Sequence, residues 1–135
     1  MSFTTNKVFI VLNNSKIMDN KKISYILLRT GLGLVFLLIA IDEIRKPLIW
    51  AAFIPLFLKN LLPFGVQYFI YFNALFEILI SLSLFSGFLI KYTSILGALH
   101  MLVIVISLGF NDLAFRDFGL FMAFLAVFFL FLDIK

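Results

Sequence analysis

Long apolar stretches separated by short polar clusters dominate the chain. Four of these stretches are long enough to cross a bilayer: residues 23–41, 66–88, 92–108 and 116–132. A spanning helix needs about 20 largely apolar residues, and none of the four stretches contains a proline. The pattern predicts an all-α membrane protein, a four-helix transmembrane bundle.

A further apolar segment, residues 47–63, lies between the first and second predicted spans. It is interrupted by Pro47, Pro55 and Pro63. Proline removes a backbone donor and disfavours helix in the residue before it, so a continuous span is not expected here. We predict an interfacial or re-entrant segment, with Trp50 at headgroup level.

The N-terminal residues 1–22 are polar apart from the short run 8–12, which is too brief for the core of a signal peptide. We expect a mobile cytoplasmic tail over residues 1–22, followed by one transmembrane domain over 23–135. Met18 stands just before the first span, so both Met1 and Met18 are candidate start sites.

Composition supports the membrane assignment and excludes several functions. With 64% hydrophobic and 13% charged residues and a mean hydropathy of +1.16, the chain cannot cover a soluble globule with polar surface. The absence of cysteine excludes dithiol chemistry and thiolate metal sites. With a single histidine, a metal site would depend on scattered carboxylates, so none is predicted. The sequence also contains no glycine motif of the kind that binds phosphate. The positive residues form no basic stripe, so no nucleic-acid partner is expected.

Positive charge predicts the orientation. Four spans place both termini on one face of the membrane, and seven of the eleven Lys and Arg residues belong to that face. They are Lys7, Lys16, Lys21, Lys22, Arg29, Lys91 and Lys135, against Arg45, Lys46, Lys59 and Arg116 on the other. Positive residues favour the cytoplasm, so we predict a multi-pass protein of the cell membrane with both termini cytoplasmic.

Two ionisable residues fall inside predicted spans. Glu77 is about 16 Å from either end of residues 66–88, and His100 is about 12 Å into the third span. A charged side chain at this depth costs at least about 2.5–3.5 kcal/mol. Asn73, Glu77 and Ser81 share one helix face. We therefore expect Glu77 and His100 to hydrogen-bond to each other inside the bundle, with Asn73 as a further partner of Glu77, and we name Glu77 and His100 as candidate catalytic residues.

The other two spans carry further polar or small residues. Arg116 and Asp117 open the fourth span, where Gly119, Ala123 and Ala126 suggest a seam of close helix approach. The first span carries Arg29, Gly33 and Ala40 on one face. An alternative interpretation is that these groups only fix helix register, and that Arg29 extends to the cytoplasmic interface.

Several short motifs, taken in order, resemble a known family. They are residues 27–36 (LLRTGLGLVF), Ile41-Asp42 with Pro47, Trp50 and Phe53-Ile54-Pro55, residues 73–78 (NALFEI), Leu99-His100, residues 107–112 (SLGFND) and residues 116–120 (RDFGL). Over residues 22–132 their order and spacing resemble the DoxX family of small four-helix membrane proteins. The chain departs from the family where relatives often have a Gly and a Lys after the first span, because it has Ala40 and Glu43 there.

The resemblance implies a function through the related DoxD subunit of thiosulfate:quinone oxidoreductase. It implies a quinone-associated membrane component of an oxidoreductase complex, with no intrinsic cofactor, a membrane quinone as ligand, and a soluble or membrane redox partner that supplies electrons. The positions that carry over are Arg29, Asn73, Arg116 and Asp117 as cofactor-binding residues beside Glu77 and His100.

Three hypotheses remain open at this stage. The first is the quinone-associated component, and the second is a non-enzymatic scaffold or assembly factor whose polar network only holds the fold. The third is a small-solute conduit, which 135 residues could build only as a homo-oligomer.

The predicted orientation can be tested by labelling. Single cysteines placed at Asn20 and Ser86 should react only with reagent on the cytoplasmic side, and a cysteine at Asn60 only from outside. The native chain has no cysteine to interfere. Labelling of the Asn60 position from the cytoplasm would contradict the four-span topology.

Overall fold

The computed structural model describes residues 2–134, and the side chains of all of these except 2–6, 8, 9, 11, 12 and 15. Met1 and Lys135 lie outside the described residues, and with them one candidate start site and one of the positive charges counted above. Within the described chain every regular element is helical: α1 Ser2–Arg45, α2 Pro47–Ala52, α3 Leu56–Leu61, α4 Val66–Ser86, α5 Ile90–Leu108 and α6 Asp112–Ile134.

Four of these helices, within the part of the chain described, are long and apolar enough to span a membrane: Lys16–Arg45, Val66–Ser86, Ile90–Leu108 and Asp112–Ile134. The prediction of an all-α membrane protein with four spans is confirmed. The proline-interrupted segment contains α2 and α3, six residues each, which are too short to cross. This is the non-spanning connection that the three prolines indicated.

The first helix is longer than its predicted span. It runs over 44 residues, about 66 Å, so the residues assigned to a tail are helical from Ser2 onward. No Gly or Pro occurs before Gly31, and nothing in the local sequence interrupts the helix earlier. It ends at Arg45 because Lys46 precedes Pro47 and leaves the helical region, with φ −136° and ψ 54°.

Local signals set the remaining helix ends. Gly87 ends α4 in the left-handed conformation, with φ 79°, and its N–H donates to the Ser83 carbonyl. Gly109, also at positive φ, follows α5. Asn111 then caps α6, because its side-chain oxygen accepts from the Ala114 N–H at 2.8 Å.

The spanning helices form a ring in the order α1, α4, α5, α6. Helix α1 packs along α4 and α6, and α5 packs along α6, whereas α4 and α5 make few backbone approaches. Near their connecting turn α4 and α5 are joined by the Ser83 and Thr93 hydroxyls, 2.5 Å apart. We call the end of the bundle with the α4–α5 turn and the C-terminal end of α6 the proximal end, and the other the distal end.

Aromatic and aliphatic side chains fill the middle of the ring. Phe36 and Phe124 are fully buried and meet edge to face, with 5.0 Å between ring centroids. Leu84, Met101 and Val127 complete this core. The Ser81 hydroxyl donates to the Gly33 carbonyl at 2.7 Å, which joins α1 to α4 where their backbones lie close together.

The predicted small-residue seam on α6 is wrong at Gly119 and Ala126, whereas Ala123 is half-buried and packs against the core. Gly119 and Ala126 are exposed, and a Cβ at Gly119 would meet nothing within 4 Å. The buried residues of α6 are instead Ala114, Asp117, Phe124 and Val127. Exposing a glycine or an alanine to lipid costs little free energy, whereas exposing an acidic side chain costs several kcal/mol. Asp117 rather than the small residues therefore determines which face of α6 turns inward.

Gly97 on α5 is the position where close approach is required. A Cβ at this position would overlap the ring of Phe124 on α6. Gly97→Ala should therefore destabilise the bundle by roughly 1–3 kcal/mol, the usual cost of overpacking. The matched control is Gly119→Ala, also within a helix but with open space around it. Thermal unfolding in detergent should show a lower melting temperature for Gly97→Ala alone, and equal melting temperatures would contradict this packing.

Candidate functional site

A cavity of about 390 Å³ occupies the distal half of the bundle. All four spanning helices and the connection between α1 and α4 contribute to its lining. The walls are mainly apolar, from residues such as Phe72, Phe76, Val103 and Ile104. Its volume lies within the roughly 300–1,000 Å³ typical of small-molecule sites.

The cavity lies where α4 and α5 diverge. Phe72 on α4 and Val103 on α5 both line it, yet their side chains remain 69% and 62% exposed. Side chains that are exposed on the flank of a membrane bundle face lipid. Phe72 and Val103 therefore belong both to the wall of the cavity and to the lipid-facing flank of the bundle between α4 and α5.

Four polar side chains from three helices line the cavity together; we call Glu43, Asn73, Glu77 and His100 the polar cluster. The Asn73 amide nitrogen donates to both carboxyl oxygens of Glu43, at 3.0 and 3.1 Å, and to Glu77 Oε1 at 3.3 Å. Glu43 and Glu77 are 4% and 2% exposed. One amide thus joins two buried carboxyl groups, one on α1 and one on α4.

His100 lies beside the two carboxyl groups without forming a hydrogen bond to either of them. Its Nε2 is 3.5 Å from Glu77 Oε1, longer than an ordinary hydrogen bond, and neither His100 Nε2 nor Glu77 Oε2 has a hydrogen-bond partner. The predicted proximity of Glu77 and His100 is observed, but the predicted hydrogen bond between them is not formed. The ring of Phe76, with its centroid 5.0 Å away, and that of Phe36, 6.4 Å away, hold the imidazole in place.

Asn73 is the partner of Glu77 that the sequence predicted, through the i, i+4 spacing on α4. The same spacing places Ser81 on the inner face, where it contacts Gly33 instead of the polar cluster. On α5, Thr93 and Gly97 are buried and His100, Ile104 and Ser107 are half-buried, so this face of α5, which carries His100, faces the interior.

Arg116 and Asp117 reach the cavity from α6. Arg116 donates to Asp117 Oδ1 through both Nε and Nη2, each at 2.7 Å. The Asp117 side chain is buried and that of Arg116 is 46% exposed, so the guanidinium neutralises the carboxylate from the distal side of the bundle.

Arg29, the remaining predicted site residue, does not line the cavity. Its guanidinium carbon lies 5.3 Å from the ring centroid of Tyr25, and its Nη1 fills the space beside Gly87. Gly87 follows Glu77 by ten residues at the C-terminal end of α4, which places it about 15 Å farther along the helix axis. The structure thus separates Arg29 from the other five predicted residues.

Glu43 is the residue of the polar cluster that sequence reasoning missed. In the sequence, Glu43 stands out only as a departure from the family pattern, next to Asp42, Arg45 and Lys46. A signal was present, because Arg29, Gly33, Ala40 and Glu43 follow one another at helical spacing on one face. Extending that stripe by one turn would have separated inward-facing Glu43 from its neighbour Asp42, which binds Lys46 at 2.9 Å and Trp50 Nε1 at 3.0 Å.

Comparison with protein-family models, with curated proteins and with solved structures finds no match to this chain. The DoxX resemblance therefore stays a prediction. No cluster of three or more His, Asp or Glu side chains suited to a metal ion occurs among the described residues. The arrangement can offer hydrogen bonds and exchange protons at the inner end of an apolar cavity.

The Arg116–Asp117 pair should matter more for stability than an exposed ion pair does. Arg116→Ala leaves the Asp117 carboxylate buried without its partner, which typically costs about 3–5 kcal/mol. Lys46→Ala removes the partner of half-exposed Asp42, which keeps Trp50, and should cost no more than about 1 kcal/mol.

Melting temperatures and folded yields in detergent compare these two variants. The double variant Arg116→Ala, Asp117→Asn should recover part of the loss, because it removes the stranded charge. An Arg116→Ala protein as stable as Lys46→Ala would contradict the assigned pairing.

Proposed function

We propose that this chain is a DoxX-like integral membrane protein that binds a membrane quinone, as a component of an oxidoreductase complex. The observation that supports this proposal is the cavity itself. It is apolar, its wall reaches the flank of the bundle between α4 and α5 through the exposed residues Phe72 and Val103, and it carries the polar cluster at its inner end. A quinone is likewise divided into an apolar and a polar part. Its tail and ring edge are apolar, and its carbonyl oxygens need hydrogen-bond donors.

The residues have separate roles in this proposal. Phe72, Phe76 and Ile104 contact the ring and tail, while His100 and Glu77 exchange hydrogen bonds and protons with the ring oxygens. Asn73 and Glu43 orient Glu77. The chain has no cysteine and no intrinsic redox centre is proposed, so electrons come from a partner subunit.

A scaffold or assembly role is the second candidate, and the length of α1 favours it. The helix measures about 66 Å against a hydrocarbon core of about 30 Å, so much of its N-terminal half projects beyond the bundle. There Lys21 reaches Asp133 at the C-terminal end of α6. A helix that projects from the membrane offers a surface to a partner protein.

The single tryptophan provides a direct test of quinone binding. Trp50 lines the cavity, and no other tryptophan contributes to the fluorescence. A benzoquinone with a decyl chain should quench this fluorescence saturably in the purified protein. In the double variant Glu77→Gln, His100→Ala the saturable component should disappear, because both groups that face the ring oxygens are changed.

Asp133→Asn is the matched control for this experiment. It makes the same acid-to-amide change at the proximal end, outside the cavity, and should quench like the native protein. Saturable quenching that survives unchanged in a folded double variant would exclude the proposed quinone site and favour the scaffold role.

A further inference from the structure

The polar cluster contains more hydrogen-bond acceptors than donors. Three of the four carboxyl oxygens of Glu43 and Glu77 accept from the same Asn73 nitrogen, which has only two hydrogens. The fourth oxygen, Glu77 Oε2, is buried and has no partner. Each carboxylate has about four lone-pair positions, so even a proton shared between the two groups leaves acceptor positions unfilled.

Within the part of the chain that the structure describes, no other side chain donates a hydrogen bond to these two carboxyl groups. Arg116, the cationic side chain that lines the cavity, is engaged by Asp117. His100 Nε2 approaches Glu77 Oε1 only to 3.5 Å. Among the described residues, Glu43 forms no ion pair and Glu77 approaches only His100. A buried acceptor without a donor is costly, so a ligand that brings a donor gains binding free energy here.

The unpartnered oxygen is buried at the wall of the cavity, so a ligand reaches it only if the carboxyl group rotates. Glu77 lines the cavity, and the terminal torsion of a glutamate side chain is broad. Rotation about this torsion is the movement that would bring Oε2 to the donor of a ligand in the proposed complex. His100, the other side chain with an unpartnered nitrogen, lines the same region.

We infer that the cavity prefers the reduced, hydroxyl form of its ring ligand, a lipophilic hydroquinone or alkylphenol, over the carbonyl form. This inference rests on the proposed function and deepens it by naming the favoured redox form. A ring hydroxyl can donate to Glu77 Oε2 and accept from His100 Nε2 when that nitrogen carries its hydrogen. A quinone carbonyl only accepts, and it leaves Glu77 Oε2 without a donor.

The test compares ligands that differ in this one hydrogen. Decylphenol and its methyl ether, decylanisole, share ring and chain, but only the phenol donates. Each competes against decyl-benzoquinone for the saturable quenching of Trp50 in the purified full-length protein. The phenol should bind at least about tenfold more tightly than the ether, the factor that corresponds to about 1.4 kcal/mol.

The variant Glu77→Gln tests whether this oxygen is the cause. An amide nitrogen takes the place of one acceptor oxygen, so the advantage of the phenol over the ether should shrink toward onefold, while the melting temperature stays close to native. Asp133→Asn, at the proximal end, should keep the full advantage.

The outcomes separate the inference from the proposed function. Equal binding of phenol and ether, with saturable quinone quenching intact, overturns the preference and leaves the quinone site standing. Absence of saturable quenching by the quinone overturns both. Much tighter competition by decylammonium than by the phenol would assign the cavity to a cation and overturn the inference.

Discussion

The carboxyl groups of Glu43 and Glu77 share one amide nitrogen, that of Asn73, inside an apolar bundle. Burying a carboxyl group in a membrane interior costs several kcal/mol unless it finds partners. This constraint determines how α1 and α4 are aligned, because the pair must meet at one depth. The amide is neutral and can serve both acids at once, whereas a cation there would have neutralised the site.

The same constraint explains the contrast between the two ends of the bundle. At the proximal end, side chains close the structure: Arg29 fills the space at Gly87 and the Ser83 and Thr93 hydroxyls join α4 to α5. At the distal end α4 and α5 diverge, and there the four spanning helices and the α1–α4 connection enclose the cavity. The polar cluster marks the transition between the closed part and the open part.

The connection between α1 and α4 has a clear role in this arrangement. Three prolines divide it into short helices that cannot span, and Trp50 and Leu58 from these helices line the cavity. The hydrogen bond from Trp50 to Asp42 ties α2 to the end of α1. Residues of the connection thereby form part of the cavity wall at the distal end, away from the polar cluster that would receive the ring oxygens of the proposed quinone.

The sequence alone determined the fold class and the number of spans, because four apolar stretches of membrane length leave few alternatives. Helical spacing was also enough to place Asn73 with Glu77 and to turn His100 inward.

The tertiary structure decided the rest. From the sequence, the inward face of α6 could be the one with Gly119 and Ala126 or the one with Asp117 and Phe124. Only the packing of α6 against α5 and α1 distinguishes these faces. Glu43 and Asn73 are thirty residues apart, so their contact depends on the register of α1 against α4. Local periodicity can turn Glu43 inward, but it carries no information about register between helices, and for that reason the cavity and the contact of Glu43 with Asn73 could not be predicted from the sequence.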